Sequence, residues 1–305
     1  MTKAVFTVKV DPTYDDLPER WYHFPRPYLR QAEAAVGDLI VYYEPRRQDS
    51  DPAGRAGRQA YFATARVEGI RSDPRRADHF FADIDPHSYV EFDRPVPFRD
   101  GREYFERGLR KVDGSTNKGA FGRAVRNIAA DEYEAIVSAG CSPTLDSLRI
   151  ESAVQPGLAE EPMFFERPIV ERIQNKRFRD AIFARHIRDI YRDTCAMTGI
   201  RIVNGGNRAE MEAAHIIPVE ENGPDSVRNG LALCRTVHWL FDRGFVSVAD
   251  DHSILLAEKQ VDDRLATLFR SEGRILVPDD PRAQPHPQFL RWHRENRFKG
   301  APPAY

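Results

Sequence analysis

The chain has 305 residues and a mass of 34.9 kDa, enough for two domains and short for three. Charged residues make up 30% and mean hydropathy is −0.58, and no apolar run approaches the roughly 20 residues of a bilayer span, so a membrane protein is not expected. The net charge of −2 excludes a uniformly basic coat for nucleic acid but leaves room for a local one, and three cysteines exclude a disulfide scaffold and a four-cysteine metal site. The N-terminus alternates apolar and polar residues and lacks a signal-peptide layout, which gives a cytoplasmic protein as the expectation.

In chain order, the first hundred residues read as strands. Residues 5–10 alternate; residues 39–43 are an apolar-aromatic run behind Gly37 and Asp38; residues 59–70 form another; residues 89–92 and 94–98 close the series. Turns rich in Asp, Pro and Gly separate them, the pattern of a small barrel or sandwich. A helix is expected over 27–35. Residues 14–25 fit neither the strand nor the helix period and read as a loop. Residues 120–128 and 131–139 read as helices. Prolines and acids over 142–168 mark the linker, so domains are expected at 1–150 and 170–305, joined by 151–169. A long amphipathic helix is expected over 170–192, a hairpin from 245–248 and 253–256, and a short helix near 289–298. The fold class is α+β.

The residues that carry chemistry lie between Cys195 and Gly244. His215 ends an apolar stretch that Pro218 stops, and residues 231–234 form a second strand. Residues 236–242 form a short helix on which His238 and Asp242, at i and i+4, face the same way. An imidazole and a carboxylate so placed suit one divalent cation. A strand histidine opposite them is suited to activating a water, and Asn229 to pinning the loop through side-chain-to-backbone hydrogen bonds.

The order His215, Asn229, His238 on a ββα pattern resembles the HNH endonucleases. The run Ala-His-Ile-Ile-Pro, then Asn-Gly-Leu-Ala-Leu-Cys, then His-Trp-Leu-Phe-Asp-Arg-Gly looks like one HNH subfamily, as do Cys195-Ala196-Met197-Thr198-Gly199 and the closing Leu290-Arg291-Trp292-His293. The resemblance implies hydrolysis of a phosphodiester with one Mg²⁺ or Mn²⁺ per site. His215 would be the general base, Asn229 the loop-fixing residue and His238 a metal ligand. Many HNH enzymes carry a metal ligand directly before the base, where this chain has Ala214. Asp242 is the first candidate to complete the metal shell. Glu212 is the second, although it falls on the strand face opposite His215. No structural zinc is expected, because Cys195 and Cys234 are not part of a Cys-x-x-Cys element and read as small core residues.

The N-terminal half is rich in rings: Trp21, Tyr22, Phe24, Tyr42 and Tyr43 fall in a short span. Either they fill a core, or some form a cage for a flipped base read by stacking and by hydrogen bonds to its pairing edge. Tyr42 and Tyr43 are adjacent in a strand and so on opposite faces, which assigns one of them to the core. The 37–45 and 61–67 segments resemble the EVE and wider PUA-like superfamily. An EVE- or SRA-like module followed by HNH resembles the modification-dependent (type IV) restriction endonucleases. That resemblance implies base-flipping recognition of 5-methylcytosine or 5-hydroxymethylcytosine in double-stranded DNA. Arg20, Arg26, Arg46 and Arg47 are the candidates for contact with the DNA backbone. A homodimer is expected, since one HNH centre handles one strand at a time. The rivals are an HNH nuclease on unmodified DNA or RNA, and a non-catalytic reader of modified bases.

Overall fold

Apolar runs in the first third of the chain build a six-stranded sheet in the computed structural model, which describes residues 2–8, 16–46, 57–154, 169–206, 209–257 and 262–300. The elements run β1 (Lys3–Thr7), β2 (Trp21–Pro25), α1 (Leu29–Glu33), β3 (Leu39–Glu44), β4 (Ala60–Ser72) and β5 (His79–Pro97). The small pair β6 (Arg99–Asp100) and β7 (Glu103–Tyr104), α2 (Lys118–Phe121), β8 (Val125–Ile128), α3 (Ala130–Val154) and α4 (Ile169–Ile173) follow. Then come α5 (Lys176–Tyr191), β9 (Glu212–His215), β10 (Gly230–Leu233), α6 (Arg235–Asp242), β11 (Val246–Val248), β12 (Ile254–Leu256) and α7 (Pro287–Asn296). The chain divides into two compact units, Met1–Arg179 and Asp180–Tyr305.

In the first unit the strand order is β2-β5-β4-β3-β1-β8, antiparallel except where β1 runs parallel to β3. Register shifts between β4 and β5 bend the sheet. The bend brings the two ends of the order together: Tyr22 on β2 donates its hydroxyl to the carbonyls of Thr7 (3.0 Å) and Ala124 (3.3 Å), next to β1 and β8. The sheet is therefore a curled half-barrel, as the spacing of short strands predicts. Its interior holds Phe6, Tyr22, Phe24, Ile40, Tyr42, Phe62 and Tyr89. The other face is also covered. Val5, Val41, Tyr43 and Tyr61 are buried there, and Tyr133 of α3 donates its hydroxyl to Thr64 Oγ1 (2.6 Å), which in turn donates to the Ile40 carbonyl.

Four sequence expectations give way to tertiary contacts. Residues 21–25, read as loop, are β2, because the β5 edge supplies backbone partners from Trp21↔Asp83 to Pro25↔His79. Residues 89–92 and 94–98 are largely parts of one long strand, β5. The helix expected over 120–128 stops at Phe121, and Val125–Ile128 pairs with β1 instead. There Arg126 turns inward to a two-pronged ion pair with buried Glu106, at 2.7 and 2.8 Å. The helix expected over 170–192 breaks at Gln174-Asn175, where Asn175 Oδ1 accepts from the Arg177 amide (2.9 Å) and restarts it as α5. The helix at 131–139 is present within the longer α3, which takes in 151–154 of the expected linker; residues 155–168 lie outside the described residues.

In the second unit β9 and β10 form an antiparallel hairpin with His215 opposite Gly230, and α6 packs beside both. Val237, Leu240 and Phe241 are the buried side of α6, three and four residues apart, which leaves His238, Trp239 and Asp242 on its outer surface. The expected hairpin is present as β11 and β12. The closing helix, α7, inserts His293 against Phe241, with ring centroids 3.8 Å apart and planes at 6°. The Phe241 carbonyl can only accept, so His293 Nε2 carries the proton and Nδ1 accepts from Ser247 Oγ (2.8 Å). Burial pushes the pKa of His293 down to about 4, so the ring is neutral and structural. Among the described residues no helix is long and apolar enough to cross a membrane.

Candidate functional site

His215 is the last residue of β9, where the ladder ends and the chain turns away into the loop to β10. Its Nε2 lies 2.9 Å from Oδ1 of Asp225, a carboxylate only 3% exposed. An ionised carboxylate only accepts, so Nε2 carries the proton and Nδ1 keeps its lone pair. The ring also lies flat on Phe183 of α5, with centroids 3.9 Å apart and planes at 13°. The imidazole is thus fixed in tautomer by Asp225 and in orientation by Phe183, and Nδ1 is not the nitrogen bonded to Asp225.

Asn229 is fully buried, and its amide is fully used. Oδ1 accepts from the Ile217 amide (2.9 Å), while Nδ2 donates to the carbonyls of Ile217 (3.0 Å) and Pro224 (3.0 Å). These bonds tie the two ends of the loop together, and the loop carries Asp225 back under His215. Gly223 is required at this closure: a Cβ there would meet the Ile217 carbonyl oxygen at 1.8 Å.

His238 stands between two carboxylates. Its Nδ1 is 3.0 Å from Glu212 Oε2 and its Nε2 is 3.5 Å from Asp242 Oδ2. Arg235 also reaches Glu212, at 3.1 Å. The hydrogen bond from His238, then the nearby charges, hold the Glu212 carboxyl below its usual range, so it is ionised and accepts. That places the proton on Nδ1 and the lone pair on Nε2, towards Asp242. Two ligands each about 2.1 Å from one ion stand about 3.0–3.4 Å apart, so the Nε2–Oδ2 gap suits a shared cation. Glu212 lies on the opposite edge of the ring and cannot share that ion. In this structure Glu212 is the carboxylate that orients His238. Consistent with this, among the described residues no three His, Cys, Asp or Glu side chains form a common cage. A hard divalent cation fits His238 and Asp242 only with its remaining positions left to water and substrate phosphate, the mode in which Mg²⁺ is commonly held. No hydrogen bond or ion pair links His215 to His238 or Asp242 among the described residues.

Asp225 is the candidate site residue that the sequence pattern does not single out. It lies ten positions beyond His215, and only the loop closure by Asn229 makes the two neighbours. A carboxylate between turn-formers inside a loop that must return to its own strand end was the available signal. Cys195 and Cys234 lie together as well. The Cys234 thiol donates to the Cys195 sulfur, which holds Cys195 below the usual thiol range and pushes Cys234 up.

The candidate residues of the first unit fare differently. Tyr22, Phe24, Tyr42 and Tyr43 are each no more than 2% exposed. Phe24, Tyr22 and Tyr42 line the half-barrel core, with Tyr42 donating to the Pro18 carbonyl (2.9 Å), and Tyr43 packs edge-on against Tyr61 and Phe121. Four of the five candidate cage rings are therefore packing residues in this structure; Trp21, at the start of β2, is partly exposed. Arg26 is exposed and paired with Asp78 (2.8 Å), Arg20 is partly desolvated, which lowers its pKa, and Arg46 is exposed. Arg47 lies outside the described residues.

A hairpin that presents an oriented histidine, followed by a helix that presents a His-Asp pair, is the ββα arrangement expected of a metal-assisted phosphodiesterase. Residues 195–249 match the family model described as HNH endonuclease, so this segment is an HNH endonuclease domain, and enzymes of that family typically use a divalent metal. No curated protein matches the chain. Among solved structures, a modification-dependent TagI restriction endonuclease aligns with TM-score 0.31 and 13% identity over 95% of this chain and 80% of its own. The N-terminal domain of Staphylothermus marinus McrB aligns with TM-score 0.31 and 14% identity over 45% of this chain and 94% of its own. The phosphorothioation-dependent restriction endonuclease ScoMcrA aligns with TM-score 0.18 and 11% identity over 77% of this chain and 46% of its own.

Proposed function

We propose that the chain is a modification-dependent DNA endonuclease. Its first unit reads 5-methylcytosine or 5-hydroxymethylcytosine in double-stranded DNA, and its HNH domain hydrolyses a phosphodiester nearby. The observation that carries the hydrolytic half is His215, with its Nε2 proton committed to buried Asp225 and its Nδ1 left basic. Nδ1 takes the proton from the attacking water, and the imidazolium so formed is stabilised by the Asp225 carboxylate. Asn229 holds the loop that keeps Asp225 in place. His238 and Asp242 would hold Mg²⁺ or Mn²⁺, which supplies charge stabilisation at the phosphate and the leaving oxygen. The reading half rests on the PUA-like resemblance of the 37–45 and 61–67 segments and on the curled sheet that these segments form. With the other rings committed to packing, Trp21 is the candidate for contact with the flipped base.

A cleavage assay on one plasmid in unmodified, cytosine-methylated and cytosine-hydroxymethylated forms, with Mg²⁺ or Mn²⁺, tests both halves. Modified DNA alone is cut, His215→Ala abolishes cutting, and Trp21→Ala cuts all three forms alike or loses the preference. Equal cutting of all three forms by the unaltered chain would remove the modified-base reading and leave the nuclease.

A further inference from the structure

Trp239 is the largest exposed apolar side chain among the described residues, at 56%, and it directly follows His238 in the sequence. The helical repeat sets the two side chains about 100° apart around α6, both outside its buried Val237–Leu240–Phe241 side. The ring is not loose. Phe245, just beyond the helix, lies stacked behind it at 5.8 Å and 22°. Cations lie over the pair: the Arg243 guanidinium over the Trp239 ring, 6.0 Å from its centroid, and the Lys299 ammonium over the Phe245 ring, 4.3 Å from its centroid. Arg243 has no carboxylate partner among the described residues. An exposed, buttressed indole accompanied by cations has the chemistry of a nucleobase platform: every base has a π-face, and the flanking backbone supplies phosphates for the cations.

We infer that Trp239 stacks on a nucleobase beside the scissile phosphate, so that α6 carries both the metal-binding pair and the contact that sets the register of the strand being cut. Continuity with His238 favours this occupant over a protein partner, because anything that covers Trp239 must also approach the ion-binding face. The inference rests on the nuclease reading and deepens it: the ligand is an unpaired or partly unstacked base of the substrate strand, taken without regard to its identity.

The test is a coupling measurement. Binding of a fluorescent duplex in Mg²⁺ is followed by anisotropy for the inactive His215→Ala chain, alone and with Trp239→Ala or Trp239→Phe. An abasic residue is stepped along one strand of the duplex. Trp239→Ala is expected to weaken binding about tenfold to a hundredfold, the range of base–aromatic stacking, and Trp239→Phe to recover most of it. At one abasic position the parent is expected to lose a similar factor, and Trp239→Ala there costs less than about twofold more. Unchanged binding by Trp239→Ala, or a loss that is the same at every abasic position, overturns the inference, as does a parent that binds no duplex. Plasmid cleavage by the unaltered chain is scored separately: its absence would remove the nuclease reading while the coupling still decides the stacking.

Discussion

Glu212 shows how a site can keep a carboxylate while losing the residue that usually supplies it. Alternation along β9 places Glu212 on the same side as Ala214, the position at which many HNH enzymes carry a ligand. From two residues further up that side, its carboxylate reaches His238 Nδ1 rather than an ion. In the proposed site its effect on metal binding would be through the ring, by fixing the tautomer and raising the basicity of Nε2. Removing such a partner costs about 10–100-fold in metal affinity. Glu212→Gln is therefore expected to weaken Mn²⁺ binding within that range by calorimetry. Asp242→Asn should weaken it further, because it removes a negative ligand. Equal affinity in Glu212→Gln and the unaltered chain would leave Glu212 as a β9 surface partner of Arg235 alone.

At the level of elements, the hairpin and α5 are fitted to each other through Gly230. It pairs with His215 across the ladder, and a Cβ there would lie 2.3 Å from Ile187 Cδ1 and 2.9 Å from the Phe183 ring. Phe183 is the surface on which His215 lies, so Gly230→Ala must displace the base by displacing its support. Overpacking of this kind costs about 1–3 kcal/mol of stability, and misplacing a reacting group by about 1 Å costs on the order of 10²-fold in rate. The variant should lose kcat by roughly that factor and keep its Mn²⁺ affinity, since His238 and Asp242 lie on α6. A parallel loss of metal binding would mean that the hairpin itself had shifted. The same elements explain what the sequence disclosed. His238 and Asp242 are joined by helical spacing, and Asn229 by a role confined to one loop; such local relations are legible in order and period. Asp225 becomes visible only after loop closure. The Val125–Ile128 stretch is a strand because β1 offers an edge and Glu106 neutralises Arg126, neither of which its own residues declare. Tyr42 and Tyr43 point opposite ways as the strand period requires, yet both are buried, because the sheet is covered on both faces. A sequence shows which rings alternate; it does not show how many faces are dry.

For the whole molecule, the consequence of one HNH segment per chain is kinetic. In the proposed mechanism a single base and a single ion-binding pair would act on one phosphodiester at a time, and the two strands of a duplex run in opposite directions. The second strand must therefore meet either the centre of another protomer or the same centre after release and rebinding. The proposed homodimer separates these routes through concentration. On supercoiled modified plasmid, nicked circles should form first, at a rate proportional to protein concentration. Linear product should follow, with a dependence steeper than first order until the dimer is saturated. Rebinding by a monomer would instead give linear product only after nicked circles are released, and excess unlabelled modified DNA added after the first nick would suppress it. A dimer assembled on the site would complete the break despite such a trap, so single-turnover gel assays with and without the trap distinguish a two-centre enzyme from a nickase that returns.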